Sequence, residues 1–126
     1  MTRRGTQIPL EQYFAGSDVR SRELFEVVRS AIASVGQSDL RVTKSQIEFR
    51  HREGFAWVWM PAQYVRGTVA PLVLTITLSR RDASPRWKEV VEPRRGHFTH
   101  HLELHSSEDV DEEVLNWIRE AWDQSG

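Results

Sequence analysis

Histidine, tryptophan and arginine supply most of the side chains here that could take part in chemistry. Four of the five histidines lie close together, at His97, His100, His101 and His105, and this cluster suggests a metal site. Residues four apart on a strand are separated by about 13 Å, which is too far for two of them to share one ion. His101, Glu103 and His105 could converge only if the strand bent or another segment supplied a ligand. We therefore expect no metal site, and we expect His100, on the core side, to be a hydrogen-bonded structural histidine.

The densest basic segment spans residues 80–95 and includes Arg86 and Lys88. It could bind phosphate or carboxylate, using the backbone amides of a short helix that begins near Ser84. Alternatively, it could pair with the acidic last helix. Residues 41–95 hold eleven basic and five acidic side chains, whereas residues 96–126 hold one basic and eight acidic. The net charge is only −1, and a nucleic-acid-binding domain is usually basic overall, so the pairing is favoured.

Several classes of enzyme are excluded by what the sequence lacks. There is no cysteine, which removes disulfides, thiol nucleophiles and thiolate metal sites. The GxSxG turn of hydrolases, the Walker loop and the dinucleotide-binding glycine pattern are also absent. Lys44 and Ser45 are neighbours, and neighbours on a strand point to opposite faces, which argues against a Ser–Lys catalytic pair. No enzyme is specified, and we expect neither a catalytic residue nor a cofactor.

The elements that must position these side chains begin and end with a helix. Apolar residues at helical spacing predict a first helix over about residues 18–35, with Ser17 as its N-cap and Gly36 as its stop. A second apolar stripe predicts a last helix over about residues 110–123. The first turn of that helix is rich in acids, as the helix dipole prefers, and Asp109 with Glu112 resembles a capping box.

Between the helices, alternation predicts four strands, and a short helical turn could interrupt them. The strands are expected at residues 40–52, 55–60, 72–78 and 97–105, and the turn at residues 87–91. Consecutive strands with short connections favour antiparallel pairing. We therefore predict an α+β fold: a mainly antiparallel sheet of four to five strands, with an N-terminal and a C-terminal helix packed on one face.

A hairpin at Glu53–Gly54 predicts which side chains share a face of this sheet. Counting outwards from a two-residue turn places Arg50 opposite Trp57 and Glu48 opposite Trp59. Directly paired residues lie on the same face. One face then collects the core residues Ile47, Phe49, Ala56, Val58 and Met60. The opposite face, here called the outer face, collects Glu48, Arg50, Arg52, Phe55, Trp57 and Trp59, continued by Val73, Thr75 and Thr77 and by His97, Thr99, His101, Glu103 and His105.

The outer face is the candidate binding surface, because Trp and Arg together are typical of binding sites and Arg can stack over Trp. The candidate ligand-binding residues are Lys44, Arg50, Trp57, Trp59, Arg86, Lys88, His97 and His101. Two structural alternatives compete with this interpretation. The face could be the interface of a homodimer, or it could be capped by residues 61–71 and 80–95.

The bulk properties indicate one domain, residues 1–126, with a tail at residues 1–12 that could be disordered. No apolar run reaches the roughly 20 residues of a membrane helix, and the charged start does not resemble a secretory signal. We expect a cytoplasmic, non-enzymatic binding or accessory domain that does not bind membranes. The partners considered are a second copy, a small anionic ligand, a protein and, less favoured, a nucleic acid.

Four segments resemble a known family when they are taken together. They are Arg41–Arg50, Gly54–Trp59, Ser84–Val90 and Gly96–Leu104. From about residue 24 to residue 122 the chain resembles the bacterial family called domain of unknown function 5655. This resemblance implies a small α+β domain that occurs alone or fused to other modules. More distantly, the order helix–strands–helix resembles small YdhG-like domains, which include a frataxin-like iron chaperone. That likeness would imply iron handling by acidic residues of the last helix, between Glu108 and Glu113.

Overall fold

Residues 6–126 are described by a computed structural model. They form a six-stranded antiparallel sheet with strand order β1-β2-β3-β4-β6-β5. The helices are α1 (Leu10–Phe14), α2 (Val19–Val35) and α3 (Glu112–Gln124). The strands are β1 (Asp39–Val42), β2 (Ile47–Arg50), β3 (Gly54–Trp59), β4 (Leu72–Leu78), β5 (Glu89–Arg94) and β6 (His97–Leu104). The predicted α+β class and the antiparallel sheet are confirmed, but the sheet has six strands rather than four to five.

One extra strand arises because the predicted strand at residues 40–52 is two strands. The polar residues 43–46 turn the chain back on itself, and the Thr43 amide donates to the Gln46 carbonyl at 3.0 Å. The Thr43 hydroxyl donates to the same carbonyl at 3.3 Å. Strand β1 therefore pairs with β2 instead of extending it, with Leu40 opposite Phe49.

The other extra strand is β5, where a helical turn at residues 87–91 was predicted. That prediction is wrong. The Lys88 amide donates to the His101 carbonyl at 2.8 Å, and Val90 and Val91 then pair with β6. The free edge of β6 supplies a row of backbone partners, and β-branched residues suit a strand. The tight turn into β6 uses Gly96 at φ 80°, a backbone conformation that glycine adopts without strain.

Both long helices pack on the same side of the sheet, against β4 and against each other. Helix α2 begins one residue later than predicted, because the N-cap that accepts from the Arg20 amide is Asp18 rather than Ser17. Helix α3 is capped by Asp111, which accepts from the Val114 amide at 3.1 Å. Asp109 instead belongs to the capping box of the preceding turn at Ser107–Asp109, whose N-cap is Ser106, and its carboxylate accepts from the Ser106 amide at 3.2 Å.

The N-terminal residues add a short helix to this core. The Ile8 amide donates to the Val42 carbonyl at 3.0 Å, and Tyr13 and Phe14 of α1 are buried. The predicted tail at residues 1–12 lies partly outside the described residues, which begin at residue 6. No helix in the described part of the chain is long and apolar enough to cross a membrane.

The β2–β3 hairpin keeps the predicted faces but not the predicted register. Glu48 pairs with Trp57 and Ile47 with Val58, two residues from the predicted partners. A shift by two leaves every side chain on its face, since the side-chain period of a strand is two. Phe55 is the exception: it was expected on the outer face but is only 1% exposed and belongs to the core. The register shift between Phe49 and Arg50 leaves Phe55 as the extra, bulged residue, and a bulge re-aims a side chain.

Candidate functional site

The outer face is the side of the sheet opposite α2 and α3, and its side chains lie in rows across the strands. One row runs from β2 to β5 through Glu48, Trp57, Thr75, His101 and Glu89, each paired with the next. Alternation along β3, β4 and β6 sends the neighbours of these residues into the core, where they pack under the two helices. This row places one indole, one hydroxyl and one imidazole side by side, and Trp59, two residues from Trp57 on β3, adds a second indole to the same face.

A hydrogen-bonded chain joins three of these side chains. The Trp59 indole N–H donates to the Thr75 hydroxyl oxygen at 2.9 Å. The same oxygen lies 2.7 Å from Nδ1 of His101. An indole nitrogen can only donate, so the Thr75 oxygen accepts from Trp59 and has its own proton available for Nδ1. The arrangement suits a neutral His101 that carries its proton on Nε2.

His101 is poised to donate a hydrogen bond to a ligand. Burial lowers the pKa of His101 below its ordinary value of 6.5, although the charge of Glu89 acts in the opposite direction. Trp59 lies edge-on to the imidazole, with ring centroids 6.0 Å apart. With Nδ1 facing Thr75, Nε2–H is the ring donor left for an acceptor atom above the sheet.

An apolar cavity of about 610 Å³ lies beside this chain of hydrogen bonds, and we call it the aromatic cavity. The Trp59 and Tyr64 rings lie 6.0 Å apart at an angle of 66°. Tyr64 is 58% exposed and Val65 is 53% exposed, which is unusual for large apolar side chains. The polar groups at its border are Gln46, Lys88, His101 and Glu103. Its volume is within the range that holds small organic ligands, and its apolar wall with few polar groups is typical of such sites.

The wall that carries Tyr64 is held in place by hydrogen bonds to the β1–β2 turn. The Tyr64 hydroxyl donates to the Ser45 carbonyl at 3.0 Å. The side-chain amide of Gln63 uses both of its polar atoms: Nε2 donates to the Lys44 carbonyl at 2.8 Å, and Oε1 accepts from the hydroxyl of the buried Tyr13 at 2.9 Å. Residues 61–71 therefore form one wall beside the outer face.

Two further cavities continue across the sheet from the aromatic cavity. The middle one, of about 350 Å³, shares Trp59 and His101 with it and adds Thr75, Thr77 and Thr99. The last, of about 410 Å³, shares Trp57, Thr77 and Thr99 with the middle one. Because neighbouring cavities share lining residues, the three form one groove along the outer face, here called the groove.

Two ion pairs border the groove. Arg50 contacts Glu48 at 3.2 Å, and Lys88 contacts Glu103 at 3.0 Å. Both pairs are partly exposed to solvent, where such pairs contribute little to stability. Arg50 lines the last cavity, and Lys88 and Glu103 line the aromatic cavity, so these charged groups face the groove while paired.

Arg86 does not lie with the other candidate residues. Its guanidinium contacts Asp111 at 3.0 Å and Glu113 at 2.8 Å and lies over the Trp117 ring, 5.7 Å from the centroid. It therefore lies against α3, on the helix side of the molecule. Arg80 behaves in the same way, with two hydrogen bonds to Glu120 at 2.8 and 2.9 Å. The basic segment and the acidic helix pair in these contacts, as the charge pattern favoured.

The remaining candidates lie at the two ends of the groove. His97 lines the last cavity together with Arg50 and Trp57. Lys44 lies in the β1–β2 turn, where its carbonyl holds Gln63, and it does not line the groove. The structure thus brings Arg50, Trp57, Trp59, Lys88, His97 and His101 together along the groove and places Lys44 and Arg86 outside it.

His100 faces the core and is held by two hydrogen bonds. Its Nε2 accepts from the Asp82 amide at 3.0 Å, and its Nδ1 lies 3.0 Å from the Phe98 carbonyl. Burial lowers the pKa of His100, so the ring is neutral with its proton on Nδ1. This is the structural histidine that was expected. Within residues 6–126, no group of three or more histidine, aspartate or glutamate side chains could hold a metal ion.

A separate cavity of about 570 Å³ lies next to the end of α2 and is bordered by β1 and β2. It is lined mainly by the polar segment Gly36–Asp39 and by Arg29, Arg50 and His51. It has no exposed tryptophan or tyrosine, and no row of side chains converges on it. The groove combines apolar surface with convergent polar groups, and it is therefore the better candidate.

Reasoning from the sequence missed several residues of the groove, above all Tyr64, Val65 and Arg94. Residues 61–71 show no periodicity, so neither orientation nor exposure could be assigned to Tyr64 and Val65. Arg94 was counted in the basic segment at residues 80–95, but it was not placed on the outer face because strand β5 was not predicted. The available signal was two neighbouring apolar residues, Tyr64 and Val65, in a loop that begins at Pro61 and ends at Pro71.

Comparisons with known proteins bear on the family. Neither the curated proteins nor the solved structures contain a match to this chain. A model of one protein family matches residues 10–125, which is most of the chain. The chain therefore belongs to the family described as Domain of unknown function (DUF5655).

Proposed function

We propose that this chain is a ligand-binding domain and that its ligand is a small organic molecule whose flat apolar group enters the aromatic cavity. The observation that carries this proposal is the pair formed by Trp59 and Tyr64. Their rings, 6.0 Å apart, border a cavity of about 610 Å³. Exposing the large side chains of Tyr64 and Val65 has a solvation cost, and a bound apolar group would remove that cost.

The polar groups around the cavity support a ligand that also carries a hydrogen-bond acceptor. The Nε2–H of His101 points away from its Thr75 partner, and Lys88 stands at the border. Polar groups of this kind orient a ligand, whereas the apolar wall supplies most of the affinity. The proposal describes binding and assigns no reaction to these residues.

The test uses neutral phenylalkanamides as probes, because they present a flat ring without a charge. Binding is measured by quenching of tryptophan fluorescence and by isothermal titration calorimetry on wild type, Tyr64→Ser and Val65→Ser. We expect each serine variant to bind about tenfold more weakly, since each loses apolar contact area. The matched control is Val19→Ser, which alters a 68% exposed valine on α2, away from the groove.

Two results would contradict the proposed function. One is that wild type binds no member of the probe series. The other is that Val19→Ser weakens binding as much as Tyr64→Ser does. Circular dichroism of each variant establishes that a loss of binding is not a loss of folding. Tyr64 and Val65 are suited to this test because their side chains are exposed, and in Tyr64→Ser the hydrogen bonds of the Gln63 side chain to Lys44 and Tyr13 still hold the wall.

A further inference from the structure

The two ends of the groove differ in chemistry. At the aromatic cavity the lining is mostly apolar, with Trp59, Tyr64 and Val65. The middle cavity presents the threonine hydroxyls. The last cavity, here called the basic end, is lined by Arg50, Arg94 and His97, with Glu53 as its acidic residue. A ligand that lies along the groove therefore contacts apolar side chains at one end, threonine hydroxyls in the middle and arginine guanidiniums at the other end.

Arg94 is the distinctive charge at the basic end. Arg50 is paired with Glu48 at 3.2 Å, whereas among residues 6–126 Arg94 forms no ion pair. Arg94 is paired in the backbone register with His97, whose side chain lines the same cavity. A guanidinium presents a planar fork of N–H donors that matches a carboxylate, so Arg94 is suited to bind one.

The charged side chains of the basic end favour a ligand group with one negative charge over a group with two. Glu53 lines the same cavity and repels anions, which partly offsets the attraction of Arg94. A carboxylate has a single charge and accepts two parallel hydrogen bonds from one guanidinium. A phosphate monoester carries close to two charges at neutral pH and would need further cations to balance them.

The distance between the two ends sets the length of the ligand. On β6, Glu103 lines the aromatic cavity and His97 lines the basic end. These residues lie six positions apart on one strand, which corresponds to about 20 Å. Because an arginine side chain is long and Arg94 lines the basic end, a ligand somewhat shorter than this separation can reach its guanidinium.

We propose that the groove binds an elongated organic carboxylate, with its flat apolar group in the aromatic cavity and its carboxylate on Arg94. This inference rests on the proposed function and adds the charge, the length and the orientation of the ligand. Trp59 and Tyr64 enclose the apolar group, Thr77 and Thr99 line its path, and Arg94 binds the charged end.

The test compares each ω-phenylalkanoate, from propanoate to nonanoate, with the primary amide of equal length. Titration calorimetry gives both affinities for wild type, Arg94→Gln and Arg95→Gln. Arg95 is the matched control, because it is an exposed arginine next in the chain that does not line the groove. We expect the long acids to bind wild type about tenfold more tightly than their amides, since a charge-assisted hydrogen bond is worth more than a neutral one.

In Arg94→Gln the tighter binding of the long acids relative to their amides should disappear, whereas in Arg95→Gln it should remain. The shortest acid should show no advantage in any of the proteins, because it cannot reach from the aromatic cavity to Arg94. If acids and amides of every length bind wild type equally and Tyr64→Ser weakens both, the inference is wrong and the proposed function stands. If neither series binds, both are wrong. If Arg95→Gln removes the advantage as well, the effect is general electrostatic attraction, and the carboxylate site at Arg94 is excluded.

Discussion

The imidazole of His51 lies flat on the indole of Trp122, with ring centroids 3.9 Å apart and an interplanar angle of 7°. The same indole donates to the Gln37 carbonyl at 2.9 Å. The Trp122 side chain therefore joins the end of α3, the connection between α2 and β1, and the β2–β3 turn. These contacts tie the C-terminal helix to the hairpin whose strands form one side of the groove.

Gly36 should not tolerate a larger residue, because a Cβ at this position would lie 2.5 Å from the Trp122 ring. We expect Gly36→Ala to lower the free energy of unfolding by about 1–3 kcal/mol, the usual cost of overpacking. Urea denaturation measures the change. In a Trp122→Leu background the same substitution should cost much less, since the clash is gone. An equal cost in both backgrounds would show that Trp122 is not the cause.

Thr75→Val should destabilise the protein although it preserves shape. Thr75 is only 5% exposed, and the valine would leave the Trp59 N–H and the His101 Nδ1 without their shared partner. We expect a loss of about 1–3 kcal/mol in urea denaturation. Thr77→Val is the control, because Thr77 lies on the same strand and face, and its hydroxyl makes no hydrogen bond within residues 6–126. Equal losses in the two variants would contradict the hydrogen-bond argument.

Arg86→Gln should affect stability modestly and ligand binding not at all. Its acidic partners, Asp111 and Glu113, are about half exposed, so solvent screens the ion pairs and we expect a loss of roughly 1 kcal/mol. High salt should reduce this loss, because the pairs are screened further. The measurements are urea denaturation at two salt concentrations and calorimetry with the phenylalkanamides. A large drop in affinity without unfolding would place Arg86 in the binding site after all.

The free energy of unfolding should fall as the pH drops below 6.5, the ordinary pKa of histidine. Burial lowers the pKa of both His100 and His101 in the folded chain. The unfolded chain therefore takes up protons at a higher pH than the folded chain does, so that acid favours unfolding. Urea denaturation from neutral to acidic pH measures the slope. A free energy that stays constant between neutral pH and the carboxylate range would contradict this prediction.

A second loss of stability is expected at lower pH, from Asp82. Burial opposes the ionisation of Asp82, but donors from Trp87, Ser84 and Arg80 outweigh it and lower its pKa from 3.8 to about 2. The stabilisation is complete above pH 3.8 and is lost as the pH falls towards 2. Asp82→Asn, measured by the same denaturation series, should flatten the curve in this range. An unchanged slope would mean that other carboxylates dominate the acid transition.

The chain should be a monomer in solution, because the proposed ligand and a second copy would compete for the groove. Size-exclusion chromatography with light scattering gives the mass of wild type and of a Trp57→Ala, Trp59→Ala double variant. We expect both to be monomers. A wild-type dimer that the double variant converts into a folded monomer would show that the outer face is an interface between copies, which would exclude the proposed function.

The faces of the central strands were predictable from the sequence because alternation is a local property. Trp57, Trp59 and His101 point away from the helices as expected, and a two-residue error in the hairpin register did not move them. Phe55 was misplaced because the bulge beside it depends on how β2 and β3 meet. Strand β5 was missed because its short, largely polar segment becomes a strand only when β6 offers a free edge.

By itself, the sequence determined the α+β class, the two long helices and the separation of most core residues from outer-face residues, because hydrophobic periodicity acts within single elements. Only the tertiary structure decided which charges are already paired. Arg86 is held by α3 and Arg94 is not, although both are arginines of one basic segment. It also decided that Tyr64 and Val65 stand beside Trp59. Contacts between segments far apart in the chain depend on how the elements pack, and no local pattern of residues encodes them.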